Sequence, residues 1–185
     1  MNYYLLLQDR MVEGSAGVRG LPDDMDPMDW IQGKVMPAPP SPIRLMLSEN
    51  SGDFRGDVIQ SLVTLYSDKL RNALTTFGVD NVDFFSVELE HPKTRHLEGG
   101  YWLTNVIGLV HCVDLAKSKY KPLASGTGIR LKAFSIDEDR APEQPLFRLD
   151  EKPTLVVINE PLKTHLDAAG LTGVRLVPTE HYDGY

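Results

Sequence analysis

The strongest pattern of apolar and polar positions along the chain is helical. In SDKLRNALTTFG, Leu70, Ala73, Leu74 and Phe77 recur at i, i+3, i+4 and i+7 and make one stripe. Ser67 suits an N-cap, Asp68 suits the first turn, and Gly78 suits the position after the last turn. PLKTHLDAAG predicts a second helix, with Pro161 at its first position, Leu162 and Leu166 one turn apart, and Gly170 as the stop. Most other apolar runs have the two-residue period of strands: NYYLLLQ, IRLML, Asp83 to Glu90, LFRL, TLVVINE and GVRLVP. In Asp83 to Glu90, Phe84, Ser86 and Glu88 share one face, and Phe85, Val87 and Leu89 the other. YWLTNVIGLVHCVD is read as one long strand opened by a turn at Gly99–Gly100, and Gly128 to Ile136 as another strand. DVIQSLVTLY fits helix or strand equally.

Breakers separate these runs. Gly14, Gly17, Gly20 and Pro22 predict a loop up to Trp30, PAPPSP an extended connector, and SENSGDFRGD and DEDRAPEQP further loops. Strands with two helices inserted predict an α+β fold: mostly antiparallel sheet with two or three short helices in one compact domain, 1–185. No internal repeat is present.

Composition narrows the class. A chain of 185 residues, 42% of them hydrophobic, supports a core without disulfide or metal, and its one cysteine, Cys112, cannot form an internal bridge. The start has no basic stretch, and its apolar run, Tyr3 to Leu7, is too short for a leader or a membrane span. A cytoplasmic protein with no membrane partner is expected. The net charge of −7 sits wholly in the first half: residues 1–92 hold 7 Lys/Arg against 14 Asp/Glu, and residues 93–185 hold 12 of each. Such acidity argues against a nucleic-acid partner and suits a basic protein surface, although solubility alone accounts for it.

His111, Cys112 and Asp114 raise the question of a catalytic or metal site. Alternation along a regular strand sends His111 and Cys112 to opposite faces, which denies them a nucleophile–base hydrogen bond. A neighbouring carboxylate raises a thiol pKa instead of activating it, so a buried, inert Cys112 is expected. His91 and His96 flank Pro92 in a loop without the cysteines or carboxylates of a zinc site, and His165 is expected at the surface. GSAG (Gly14–Gly17) and SGTG (Ser125–Gly128) lack the phosphate-binding spacing. No catalytic residue, metal ligand or cofactor is therefore assigned. The exposed candidate is the acidic run Asp23, Asp24, Asp26 and Asp29 ending at Trp30. It reads either as a docking edge or as a solvated loop whose Trp30 tucks into the core.

Three segments in order carry a family resemblance: SDKLRNALTTFGVDNVDFFSVEL, YWLTNVIGLVHCVDLAKSKY, and LFRLDEKPTLVVINEPLKTHLDAAGLTGVRL. Together they resemble the immunity protein 11 family, bacterial proteins found beside polymorphic and contact-delivered toxins. The resemblance covers residues 67–176, including Tyr101, Asn105, Asp114, Ser118, Phe147 and Arg148 as framework positions. Residues 1–66 carry no such landmark and are expected to be the variable, acidic part. The resemblance implies a binder that blocks a cognate toxin by direct contact. Asp23, Asp24, Asp26, Asp29 and Trp30 are the expected contact residues, matched to a basic active-site cleft on the toxin. The alternatives are a small hydrolase that reverses a toxin's modification, using His111 or Asp114, and a ligand-binding module.

Overall fold

The computed structural model describes residues 1–124 and 128–184, so of the SGTG turn only Gly128 lies within the described residues. In chain order the strands are β1 (Tyr3–Gln8), β2 (Val18–Gly20), β3 (Ile43–Leu47), β4 (Val58–Gln60), β5 (Thr64–Ser67), β6 (Val82–Glu90), β7 (Leu97–Val106), β8 (Val113–Asp114), β9 (Lys119–Pro122), β10 (Ile129–Lys132), β11 (Ser135–Ile136), β12 (Leu146–Arg148), β13 (Val156–Asn159) and β14 (Val174–Pro178). The helices are α1 (Asp68–Phe77) and α2 (Glu160–Ala168), with 3-10 turns at Pro27–Ile31, Leu115–Lys117 and Thr179–His181. The expected α+β fold with mostly antiparallel sheet is what the chain adopts.

Two sheets carry the architecture. One has four antiparallel strands in the order β12-β13-β1-β14, and the other six in the order β2-β3-β6-β7-β5-β4, with β3 and β6 as its parallel pair. Two small ribbons, β9–β10 and β8–β11, complete the pairing. Strand alternation explains the cores. Leu6, Val156 and Ile158 face α1 and α2 together with Tyr66, Val82 and Val106 of the six-stranded sheet. Leu5, Phe147 and Val157 face the other way, onto Val113, Leu131 and Phe134. The far face of the six-stranded sheet, with Val18, Leu45, Leu65, Val87 and Leu103, is covered by Ala16 and Trp30. The first 66 residues thus supply the interior strands β1 and β3 and share all three cores with the rest.

Helix α1 follows its sequence signals. The Ser67 hydroxyl accepts from Leu70 N at 3.1 Å, Gly78 is left-handed at φ 100°, and Leu70 and Leu74 are buried. In α2 the cap is Asn159, so Pro161 falls one place later than its sequence suggests. The ambiguous DVIQSLVTLY resolves as the antiparallel pair β4–β5.

Three expectations need correction. Gly99 and Gly100 do not turn the chain; they lie inside β7 as a bulge opposite Glu88, where the register passes from Leu89–Glu98 to Val87–Tyr101 and Gly100 takes φ 84°. The strand from Tyr101 ends at Val106, because Ile107 N and Gly108 N leave the ladder for Asn81 O at 2.9 Å and Gly33 O at 2.7 Å. The alternation from Gly128 to Ile136 is split at Ala133, with φ 39°, into β10 and β11. The predicted loop before Trp30 also contains the short strand β2 and the Pro27–Ile31 turn.

Candidate functional site

The acidic run forms a fixed turn. Asp26 caps it by accepting from Met28 N at 2.8 Å, and the Asp29 carboxylate accepts from Gln32 Nε2 at 3.2 Å. Trp30 is 5% exposed and meets Phe85 edge-on at 5.4 Å, so its ring faces the core and not the solvent. Asp23, Asp24 and Asp26 remain exposed, Asp29 is half-buried, and among the described residues none of the four forms an ion pair. Met28 stands out at 58% exposure. The turn therefore presents unneutralised carboxylates on a backbone held from beneath by an aromatic contact.

His111, Cys112 and Asp114 separate, although the irregular backbone after Val106 does it and not one long strand. His111 is exposed, with Nδ1 3.3 Å from Asp150 and 3.4 Å from Glu151. Cys112 is fully buried, and burial, with Glu151 adding to it, pushes its thiol up to about 12. Asp114 caps the next 3-10 turn, accepting from Ala116 N at 3.1 Å and Lys117 N at 3.3 Å. A thiol reagent at mildly alkaline pH should leave Cys112 untouched in the native protein and titrate it fully in denaturant. Rapid native labelling would contradict this burial. His165, expected at the surface, instead donates from Nε2 to Ala73 O at 3.1 Å and packs on Phe77 at 5.3 Å, joining the two helices. His91 caps its own turn, accepting from Lys93 N and Thr94 N at 3.2 Å each. Among the described residues no three or more His, Cys, Asp or Glu side chains converge as metal ligands.

The framework positions tie segments together. The Tyr101 hydroxyl donates to Gly56 O at 2.7 Å, and Asn105, fully buried, donates to Lys34 O at 2.7 Å. Ser118 Oγ donates to Asp114 O at 2.6 Å and accepts from Ser135 N at 3.0 Å. Phe147 packs edge-on against Tyr3 at 6.1 Å. Arg148 is 2% exposed; its Nη1 donates to Pro153 O, and its Nε has no partner. Burial pulls the Arg148 pKa below its usual value, with the nearby Tyr66 phenol opposing the shift.

Two charged features were not anticipated. In the β9–β10 ribbon, Lys119 pairs with Lys132 and Lys121 with Arg130, all four exposed, while Leu131 on the other face is fully buried. Like charges directly opposite each other repel, so this cationic strip does not arise from strand stability. The alternation of KSKYK and IRLK shows it in the sequence, but a net charge of zero over the second half conceals it. The second feature is a cleft of about 650 Å³. It joins β1, the β4–β5 turn and the acidic turn to the end of β12 and the segment after it. The two sheets are bridged at its wall by Gln8 and Gln60, each of whose backbone N–H groups donates to the other's side-chain oxygen, at 2.8 and 2.9 Å. Arg10, Arg148, Lys152 and Arg175 line the cleft, with Asp183 as the single carboxylate. These cations come from distant parts of the chain, and no local motif announces them.

The chain is thus a small α+β protein with a capped acidic turn and a cation-lined cleft. The sequence matches the immunity protein family (Imm11) over residues 8–181, and the chain belongs to that family. The match begins before residue 67 and takes in most of the N-terminal third. No curated protein matches the chain. A role in immunity to a toxin, with a toxin as partner, follows from the family. No helix among the described residues is long and apolar enough to cross a membrane.

Proposed function

We propose that this protein neutralises a cognate bacterial toxin in the cytoplasm by direct contact, and that the turn from Asp23 to Asp29 is the docking edge. The observation that carries the reading is the turn itself: exposed carboxylates, free of ion pairs among the described residues, on a backbone fixed by the Asp26 cap and the buried Trp30. Carboxylates on a backbone already fixed cost less ordering on meeting a basic surface, and their field accelerates encounter. Trp30 acts as the foundation of this edge. Residues 1–66 supply the partner-specific surface, and residues 67–176 the framework. A toxin that acts on an anionic substrate has a basic cleft of the kind such an edge fills. The direct test is co-expression with the toxin encoded beside this protein. Cells survive, and the two chains purify together at 1:1. Killing that is equal with and without this protein would refute the assignment.

A further inference from the structure

The cleft lies in a protein of net charge −7, yet its lining carries four cations and one carboxylate. Among the described residues none of Arg10, Arg148, Lys152 and Arg175 has a carboxylate within ion-pair distance. Arg10 donates to Gln60 O at 2.8 Å, and Lys152 donates to Tyr182 Oη at 2.9 Å and lies over that ring at 5.1 Å. These contacts position the cations without neutralising them.

Arg148 is the decisive residue. A guanidinium that is 2% exposed and unpaired is costly, and buried arginines are ordinarily matched by a carboxylate. Here one carbonyl, Pro153 O, takes one N–H, and Nε is left without a partner. Its five N–H donors suit a carboxylate or phosphate group approached edge-on. The remaining wall is largely apolar, with Leu7, Met28, Trp30 and Leu155 on it, and the volume is that of a small-molecule site. A concave, partly apolar surface also strengthens the field of the cations it holds.

We propose that this cleft binds a small organic oxyanion, a carboxylate or phosphate directed at Arg148 and carried on an apolar body that packs against Leu7 and Met28. Lys152 and Arg175 complete the positive lining. The Pro27–Ile31 turn belongs both to this cleft and to the proposed docking edge.

Calorimetric titration with phenyl phosphate, benzoate, inorganic phosphate and benzyl alcohol at fixed ionic strength tests it. Phenyl phosphate or benzoate should bind saturably at 1:1, at least about tenfold tighter than inorganic phosphate, because the ring adds apolar burial. Benzyl alcohol, of similar shape and no charge, should not bind. The stronger of the two ring anions identifies the headgroup. Arg148→Gln should weaken binding by about tenfold or more, and Arg175→Gln, at an exposed position, by about two- to threefold. Lys93→Gln, outside the cleft, should leave it unchanged. If Arg148→Gln does not fold, Arg175→Gln decides. The absence of saturable binding by either ring anion, or affinities that ignore both arginine substitutions, would overturn the proposal.

Discussion

Replacing Asp57 by alanine should destabilise the protein by about 3 kcal/mol or more, measured by denaturant titration against the parent chain. Asp57 is 6% exposed and serves two distant segments. One carboxylate oxygen accepts from the Ser67 hydroxyl, and the other accepts from Thr172 N at 2.6 Å and Thr172 Oγ1 at 3.2 Å. Its backbone N–H donates to Thr172 O at 2.7 Å, and its carbonyl accepts from Ser67 N at 3.0 Å. Ser67 caps α1, so the carboxylate lies beside a helix N-terminus, where a negative charge is favoured. Alanine leaves the Ser67 hydroxyl and the Thr172 N–H short of an acceptor, and loosens the junction of β5, α1 and the segment before β14. Asp57→Asn tests the chemistry at constant size. An amide NH₂ placed against donors restores only part of the network, so asparagine should lose most of the same stability. Losses under about 1 kcal/mol for both variants would show that this junction does not hold the two sheets together.

Trp30→Ala should cost about 3–5 kcal/mol, the range for deleting a large buried aromatic side chain. The ring closes the core beneath the acidic turn and packs on Phe85, with Leu45, Leu65 and Leu103 in the same cluster. Trp30→Phe keeps an edge-on aromatic contact and should retain most of the stability. The pair also separates two roles for this residue. If Trp30 supports the docking edge, Trp30→Phe binds the toxin within about twofold of the parent. If its ring makes the contact, Trp30→Phe folds normally and loses affinity severalfold. Thermal unfolding and binding measured on one preparation decide between them.

Local signals were the most legible in the sequence. The cap at Ser67, the stripe Leu70–Leu74 and the glycine at Gly78 act within one helix, and all three were readable without knowing the rest of the fold. The opposite faces of β6 were readable too, because alternation needs only the strand itself. What failed depended on partners far along the chain. Ile107 and Gly108 leave the ladder because Asn81 and Gly33 offer their carbonyls, and nothing near Val106 signals that. Gly99 and Gly100 resemble a turn until β6 is placed opposite them, whereupon they become the extra residue of a bulge. His165 looked exposed because Ala73 and Phe77 lie in a different helix.

The site divides in the same way. Asp23, Asp24, Asp26 and Asp29 were visible as a run of like charge, and the exposure of Asp23, Asp24 and Asp26 follows from that charge. Whether Trp30 faced solvent or core could not be read from the run; the apolar face of the six-stranded sheet decides it. The cleft was invisible because Arg10, Arg148, Lys152 and Arg175 converge only after both sheets form. Their separate charges disappear in the totals. The family resemblance, in turn, was strongest where the framework is local, from Ser67 onward, while the match itself reaches back to residue 8.

The most direct measurement is the association rate constant between this protein and its toxin as ionic strength is raised, for the parent chain and for Asp23→Lys/Asp24→Lys. Both positions are exposed, and neither caps the turn. Reversing them should leave unfolding unchanged, slow association by about tenfold at low salt, and flatten its dependence on salt, because steering by the acidic edge is lost. Identical rates and identical salt dependence for the two proteins would contradict docking through this turn.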